Sequence, residues 1–489
     1  MNRHPENVVF LLCILFIVSS PSIITNDSGS EYDWENDGIQ TVIAINTAIN
    51  YTGDWSQACS SVIVTGNATK DGRAILMKNR DLADEPVNVP IYVPATPSTY
   101  AFIGVNINAM GINEKGLAVM NTYLPALAGS EPILGNLLLN QLILEYYDSV
   151  PDVAQALNDS YSLIGPVYRH YLGSVATCIG VIDRFGSGAF FEVSDTKAYV
   201  QYVADGYDTR ANHPRIYPRV SSGPSGRDQY LLDALDEIYN KNGYISPEHV
   251  MQNASRYIHH KEIGSVNFSI DGEACNPTTV ASIVAVSGDE RYGGILNCMW
   301  TACGSNPIVG VFVPSMVCAQ VIPESIKDLW IHTRDKYVSA RAKPLTSEGL
   351  LYPGRVREVQ RFAFFAEDYT VGEYERLMSS VPNELSDYQI MDTVRTFIEG
   401  MDNYASKIFI EETTTVDPPP QIDFPVPTSA TSTSPTSKTP PNGTTVSPTN
   451  LASFPSESFY DNQLVPLTVG AVSGFALVMV VAVIKRRYT

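Results

Sequence analysis

Cysteine is scarce in this chain, with seven in 489 residues, and no two of them have CxxC spacing. That excludes a disulfide-built scaffold and a zinc site on paired cysteines. Basic residues are also short. Thirty-two Lys and Arg stand against 52 Asp and Glu, giving a net charge of −20. Such a balance excludes nucleic acid as a partner, because phosphate binding needs a basic face. Charged residues of both signs reach only 17% while hydrophobic ones make up 44%, so the chain as a whole is not disordered. No internal repeat is visible. Long apolar runs are missing everywhere except at the two ends.

The first end reads MNRHPENVVFLLCILFIVSS. Arg3 precedes an apolar run, Val8–Val18, that is followed by small residues: a secretory signal pattern over residues 1–25, too short in its apolar part for a membrane span. At the other end, Leu464–Ile484 is almost wholly apolar and runs directly into Lys485, Arg486 and Arg487. That length suits a transmembrane helix, and the basic cluster keeps a short tail, 485–489, inside. Thr413–Ser458 is dominated by Ser, Thr and Pro, which cannot bury enough apolar surface to fold, so residues 412–463 are expected to form a stalk. Sequons at Asn26, Asn50, Asn67, Asn158, Asn253, Asn267 and Asn442 fit an exported chain. The expectation is an extracellular ectodomain on a single-pass membrane anchor.

Within that ectodomain, Val/Ile/Leu-rich runs bounded by turn signals predict strands at Ser61–Thr65, Ala74–Lys78, Tyr100–Asn106 and Leu117–Thr122. Leu134–Tyr147 is apolar on most faces and reads as a buried or sheet-covering helix. Strands are expected again at Val175–Asp183, Gly188–Glu192 and Ala198–Val203. Arg227–Asn240 carries Leu231, Leu232, Leu235 and Ile238 on one helical stripe. Three more strands follow at Val280–Val286, Gly294–Met299 and Ile308–Val313, and Ser325–Ile410 looks mostly helical. Strands and helices in separate blocks predict an α+β layered fold rather than a doubly wound parallel sheet.

The segment from Cys59 to Asp81 carries the chemistry. A cysteine opens a strand, Asp71-Gly72 turns the chain, and the second strand ends in Lys78-Asn79-Arg80-Asp81. An antiparallel pair of that length brings Asp81 back towards Cys59. A thiol needs such a neighbour, because free cysteine is mostly protonated at pH 7.

Four segments, in order, resemble the N-terminal-nucleophile (Ntn) cysteine hydrolases, which include penicillin V acylases, bile salt (choloylglycine) hydrolases, acid ceramidases and isopenicillin-N acyltransferases. They are Cys59…Asp71-Gly72…Asn79-Arg80-Asp81, then Gly111-Ile-Asn-Glu-Lys-Gly-Leu117, then Ala211-Asn212-His213-Pro214, and Ser225-Gly-Arg227. The resemblance implies a four-layer αββα sandwich, and a mature chain that starts at the nucleophile after loss of a propeptide, 26–58. Cys59 would then be nucleophile and, through its own α-amine, general base. Asp81 would hold that amine, Asn212 would help form the oxyanion hole, Tyr123 would complete it, and Arg227 would be a supporting cation. Lys78 stands where bile salt hydrolases carry arginine, with Arg80 two residues on; both are candidates for substrate binding. Self-cleavage would fall between Ala58 and Cys59. The implied activity is hydrolysis or acyl transfer on a small-molecule amide through a thioester, with no metal or organic cofactor. A dipeptidase of the same superfamily shares the opening segment, and a catalytically silent surface protein keeping the fold is the alternative from another class. The Asn113–Gly116 turn reads as structural, because hairpins choose such residues for their backbone.

Overall fold

The computed structural model describes residues 59–424 except 82–88, 106–109, 129–134, 160–174, 195–196, 225, 259–260, 263–264, 270–273, 277, 303–305, 341–347, 352, 383–384 and 423. The expected signal peptide, propeptide, transmembrane helix and tail lie outside the described residues, as does the stalk beyond Phe424. The chain divides into Met1–Thr428 and Ser429–Thr489, and every described residue belongs to the first unit. Among the described residues no helix is long and apolar enough to cross a membrane.

Strand β1 (Ser60–Gly66) and β2 (Gly72–Asp81) form the opening hairpin. Gly72 takes φ +82°, a conformation that favours glycine, and the Asp71 carboxylate accepts the Arg73 N–H at 3.1 Å to close the turn. Strands β3 (Ile91–Val93), β4 (Phe102–Val105), β5 (Met110–Asn113), β6 (Ala118–Tyr123), β7 (Ala176–Ile182), β8 (Gly188–Ser194) and β9 (Ala198–Val203) pair each with the next, all antiparallel, into a seven-stranded meander. The chain then returns to the first hairpin through β10 (Tyr207–Arg210), which pairs with β1. After β11 (Lys261–Glu262) and β12 (Ser265–Ser269) come β13 (Thr279–Val286), β14 (Cys298–Ala302) and β15 (Phe312–Ser315). These complete a six-stranded sheet in the order β10-β1-β2-β13-β14-β15. Strand β16 (Glu348–Leu351) joins β11 and β12 in a small third sheet.

The side-chain alternation of the strands separates the layers. Ile63, Leu76, Ile283 and Met299 of the six-stranded sheet meet Ile103, Ile112, Met120 and Phe190 of the seven-stranded one in a shared core. On the far side of the seven-stranded sheet, helices α1 (Gly135–Tyr146) and α2 (Val150–Asp159) bury Leu139, Ile143, Val153 and Leu157 against Phe102, Val119 and Val181. On the far side of the six-stranded sheet, Val62, Val64, Ile75 and Met77 face α3 (Arg227–Asn242), α5 (Pro353–Ser380) and α6 (Asp387–Glu411). Helix α4 (Ser325–Ala340) packs with α5 and α6 in an adjoining cluster. The result is helix, sheet, sheet, helix, an α+β sandwich as expected.

Three details differ from the sequence reading. The strand expected at Gly294–Met299 starts only at Cys298, because residues 289–297 form turns. The strand expected at Ile308–Val313 starts at Phe312, with Asn306–Gly310 folded into turns. Packing also continues past residue 411: Glu412 accepts from Lys336 at 2.5 Å and Arg355 at 2.8 Å, and Phe424 is buried in the helix-facing core. The folded body therefore runs at least to Phe424, beyond the expected stalk boundary.

Candidate active site

Strand register brings the predicted residues together. Ser61 pairs with Arg210 across β1 and β10, so two residues outward on each strand Cys59 comes opposite Asn212. The backbone N–H of Cys59 donates to Asn212 Oδ1 at 2.6 Å. On the other side of β1, Ser60 pairs with Asn79, which sets Cys59 beside the end of β2. Cys59 is buried with a free thiol.

Asn212 is a junction. Its Oδ1 also accepts from Arg227 Nη2 at 2.9 Å, and its Nδ2 donates to the Tyr123 carbonyl at 2.8 Å. Arg227, at the start of α3, reaches Asp81 Oδ2 through Nη1 at 3.3 Å. A continuous line of hydrogen bonds thus runs Cys59–Asn212–Arg227–Asp81. The acceptor for the Cys59 backbone N–H is Asn212, while Asp81, expected to hold the amine freed by cleavage, binds Arg227 together with Asn276 Nδ2 at 2.7 Å and Thr279 Oγ1 at 2.5 Å. Burial pushes the Asp81 carboxyl up to about 6, opposed by Arg227, by the Thr279 and Asn276 hydrogen bonds and by Lys78. Tyr123, expected to offer its side chain to an oxyanion, contributes its backbone carbonyl to Asn212; burial raises its hydroxyl above the ordinary value.

Lys78 and Arg80, two residues apart on β2, share the face that looks towards the seven-stranded sheet. Lys78 is 1% exposed, and its Nζ donates to the Asn121 carbonyl and, at 3.0 Å, to Asn121 Oδ1. Burial lowers it to about 8, with Cys59 the first of the groups that favour its charged form. Arg80 is buried as well. Ala58 lies outside the described residues, and among those described no cluster of His, Cys, Asp and Glu could hold a metal ion.

The loop that carries Asn212 is anchored by Glu192 of β8. Its fully buried carboxylate accepts three consecutive backbone N–H groups, from Arg215 at 2.6 Å, Ile216 at 3.1 Å and Tyr217 at 2.7 Å. Behind it, the buried Arg210 guanidinium lies 4.4 Å from the Phe190 ring centroid and binds Asp208 at 2.7 Å. Sequence reasoning missed Glu192, Asn121, Asn276 and Thr279. The only local signal was Asn276-Pro-Thr-Thr279 immediately before a strand, a turn composition with nothing to connect it to Asp81 some two hundred positions earlier.

Residues 67–258 match the sequence model of the acyl-coenzyme A:6-aminopenicillanic acid acyl-transferase family. The match covers less than half of the chain. The matched stretch includes Asp81, Tyr123, Asn212 and Arg227, and starts after Cys59. Among solved structures, the chain is similar to a mutant conjugated bile acid hydrolase from Clostridium perfringens, at 14% identity over 50% of this chain and 89% of that one, with a TM-score of 0.33. It is also similar to a penicillin V acylase from Agrobacterium tumefaciens, at 14% identity over 53% of this chain and 86% of that one, with a TM-score of 0.28. Scores this low bear on neither activity nor substrate. No curated protein matches the chain.

Proposed function

We propose that this protein is a cysteine amidohydrolase or acyltransferase whose nucleophile, Cys59, becomes the N-terminus when the Ala58–Cys59 bond is cut. The freed α-amine takes the thiol proton, because an amide nitrogen has no available lone pair to do so. The thiolate adds to an amide carbonyl of a small-molecule substrate. The tetrahedral adduct then collapses to a thioester, and the amine leaves with the proton returned from the ammonium. Water, or a second amine, releases the acyl group. Asn212 orients the Cys59 nitrogen, and Arg227 fixes Asn212 and balances Asp81. The chain is exported and tethered by its C-terminal apolar segment, with residues 59–424 outside the cell.

The single observation that carries this reading is the 2.6 Å hydrogen bond from the Cys59 nitrogen to Asn212 Oδ1, which also binds Arg227. Any buried backbone N–H needs an acceptor; what supports the reading is that this acceptor is itself bound by Arg227, which is paired with Asp81. N-terminal sequencing of the purified protein tests the reading: the wild type is expected to begin Cys-Ser-Ser-Val, and Cys59→Ala to remain uncut and inactive. An active wild type whose N-terminus still lies upstream of Cys59 would overturn it. Profiling against N-acyl amino acids, penicillin V, bile-salt conjugates and dipeptides separates acylase from dipeptidase; no turnover of any, with the Ala58–Cys59 bond intact, would identify a silent scaffold.

A further inference from the structure

The carboxylate of Asp81 is held from behind by a turn that no motif pointed to. Thr279 pairs with Asp81 across β13 and β2, and both are buried. The Thr279 hydroxyl accepts the Asn276 N–H at 3.0 Å. Its one proton is left for Asp81 Oδ1 at 2.5 Å. Asn276 Oδ1 accepts both the N–H and the hydroxyl of Thr278, at 2.8 and 2.7 Å, which turns Nδ2 towards Asp81 Oδ2 at 2.7 Å. The turn is locked from its other side as well: Asn306 Nδ2 donates to the Asn276 carbonyl at 2.6 Å, and Asn306 Oδ1 accepts the Ile308 N–H at 3.1 Å. Both donors are therefore fixed before Asp81 is considered.

We infer that Asn276 and Thr279 are positioning residues for Asp81: they keep its buried carboxylate ionised and aimed at Arg227, and so hold Arg227 on Asn212 beside Cys59. The inference rests on the cysteine-hydrolase reading for its purpose, though not for its test. An ionised carboxylate without water needs donors on both oxygens. Arg227 from α3 supplies one, at the longer distance of 3.3 Å, and on Oδ2 only. Among the described residues, the other charged group acting on Asp81 is Lys78 of its own strand. Oδ1 thus depends on Thr279. Burial alone pushes Asp81 upward, so losing a donor moves it further in the same direction.

The sign follows from linkage. A carboxyl raised in the folded state favours folding at pH below its unfolded value, and that contribution disappears as pH rises through the folded value. Thr279→Val extends the loss upward, so its penalty grows with pH. The test is the melting temperature of the full-length protein from pH 5 to 8. Thr279→Val is expected to lie about 2–4 °C below wild type at pH 8 and to approach it at pH 5. Thr279→Ser should restore the wild-type curve, and in an Asp81→Asn background the pH dependence of the Val penalty should vanish. If Thr279→Val yields no folded protein, Asn276→Ala is measured in the same way. A penalty equal at pH 5 and 8, or unchanged in Asp81→Asn, would overturn the inference. Failure of the catalytic reading shows elsewhere, as an uncut wild type with no amide turnover, and leaves these melting curves as they are.

Discussion

Asp81 and Lys78 face opposite electrostatic problems within one strand, and each leads to a measurement. Asp81 is fully buried, and its charge is maintained by three side chains. Asp81→Asn keeps the shape but surrenders the charge that holds Arg227, so the protein should fold while kcat falls by about 10²-fold or more, on the scale of removing one preorganised electrostatic group. Near-normal kcat in a folded Asp81→Asn protein would remove Asp81 from the site. Lys78 is lowered to about 8 by burial. A lysine depressed in the folded state adds stability above its unfolded value, near 10.5, which is lost as pH falls through about 8. Lys78→Met removes this term, so its melting temperature relative to wild type should be higher at pH 7 than at pH 10. A difference that stays flat across that range would mean Lys78 is not carrying a buried charge.

Among the elements, local pattern and long-range pairing divide what was legible. The hairpin β1–β2, the strands of the seven-stranded sheet and the helix at Arg227 follow alternation, turn residues and stripe. Strand β10 is short and polar, Tyr-Asp-Thr-Arg, and exists because β1 offers it an edge; no window of sequence contains that information. The same is true of β12 and β16, which pair across some eighty residues. At the site, Cys59, Asp81, Asn212 and Arg227 were legible from motif order. What those side chains bond to was not, since Asn212 meets Cys59 only through the β1–β10 register and the Asn276–Thr279 turn reaches Asp81 only through β13. The Asn113–Gly116 turn has a structural explanation as well. Asn113 Oδ1 accepts the N–H groups of Lys115 and Leu117, and its Nδ2 donates to the Leu144 and Tyr147 carbonyls. Gly294, at φ +85°, approaches so closely that an added Cβ would lie 2.0 Å from the Lys115 carbonyl oxygen. Gly294→Ala should therefore destabilise the protein by more than the ~1 kcal/mol typical of a helical or exposed glycine change, measured as urea midpoint against wild type; an unchanged midpoint would mean the two loops do not touch. Phe424, buried beyond the expected boundary, gives the matching C-terminal prediction: Phe424→Ala should cost about 3–5 kcal/mol, whereas truncating an unpacked stalk residue would cost almost nothing.

For the whole molecule, the folded body and the compositional map of the chain meet in one testable length. Packing is continuous to Phe424, where the side chain joins the core shared by α3, α5 and α6. Beyond it the sequence is dominated by Ser, Thr and Pro until the apolar segment Leu464–Ile484, which the basic residues Lys485–Arg487 close. A protease needs an accessible, locally unfolded stretch, and a low-complexity composition supplies one while a packed helix or a buried phenylalanine does not. If the body is displayed outside and tethered, protease added to intact cells should release a soluble fragment whose C-terminus falls between residues 425 and 463. That fragment should retain any amidase activity, because Cys59, Asn212, Arg227, Asp81, Asn276 and Thr279 all lie within it. Mass spectrometry of the released piece reads the cut site to the residue. A fragment ending before 424 would show that the C-terminal packing is not maintained in solution. An ectodomain protected until the cells are lysed would place the body on the other side of the membrane, and the export reading of both chain ends would fall with it.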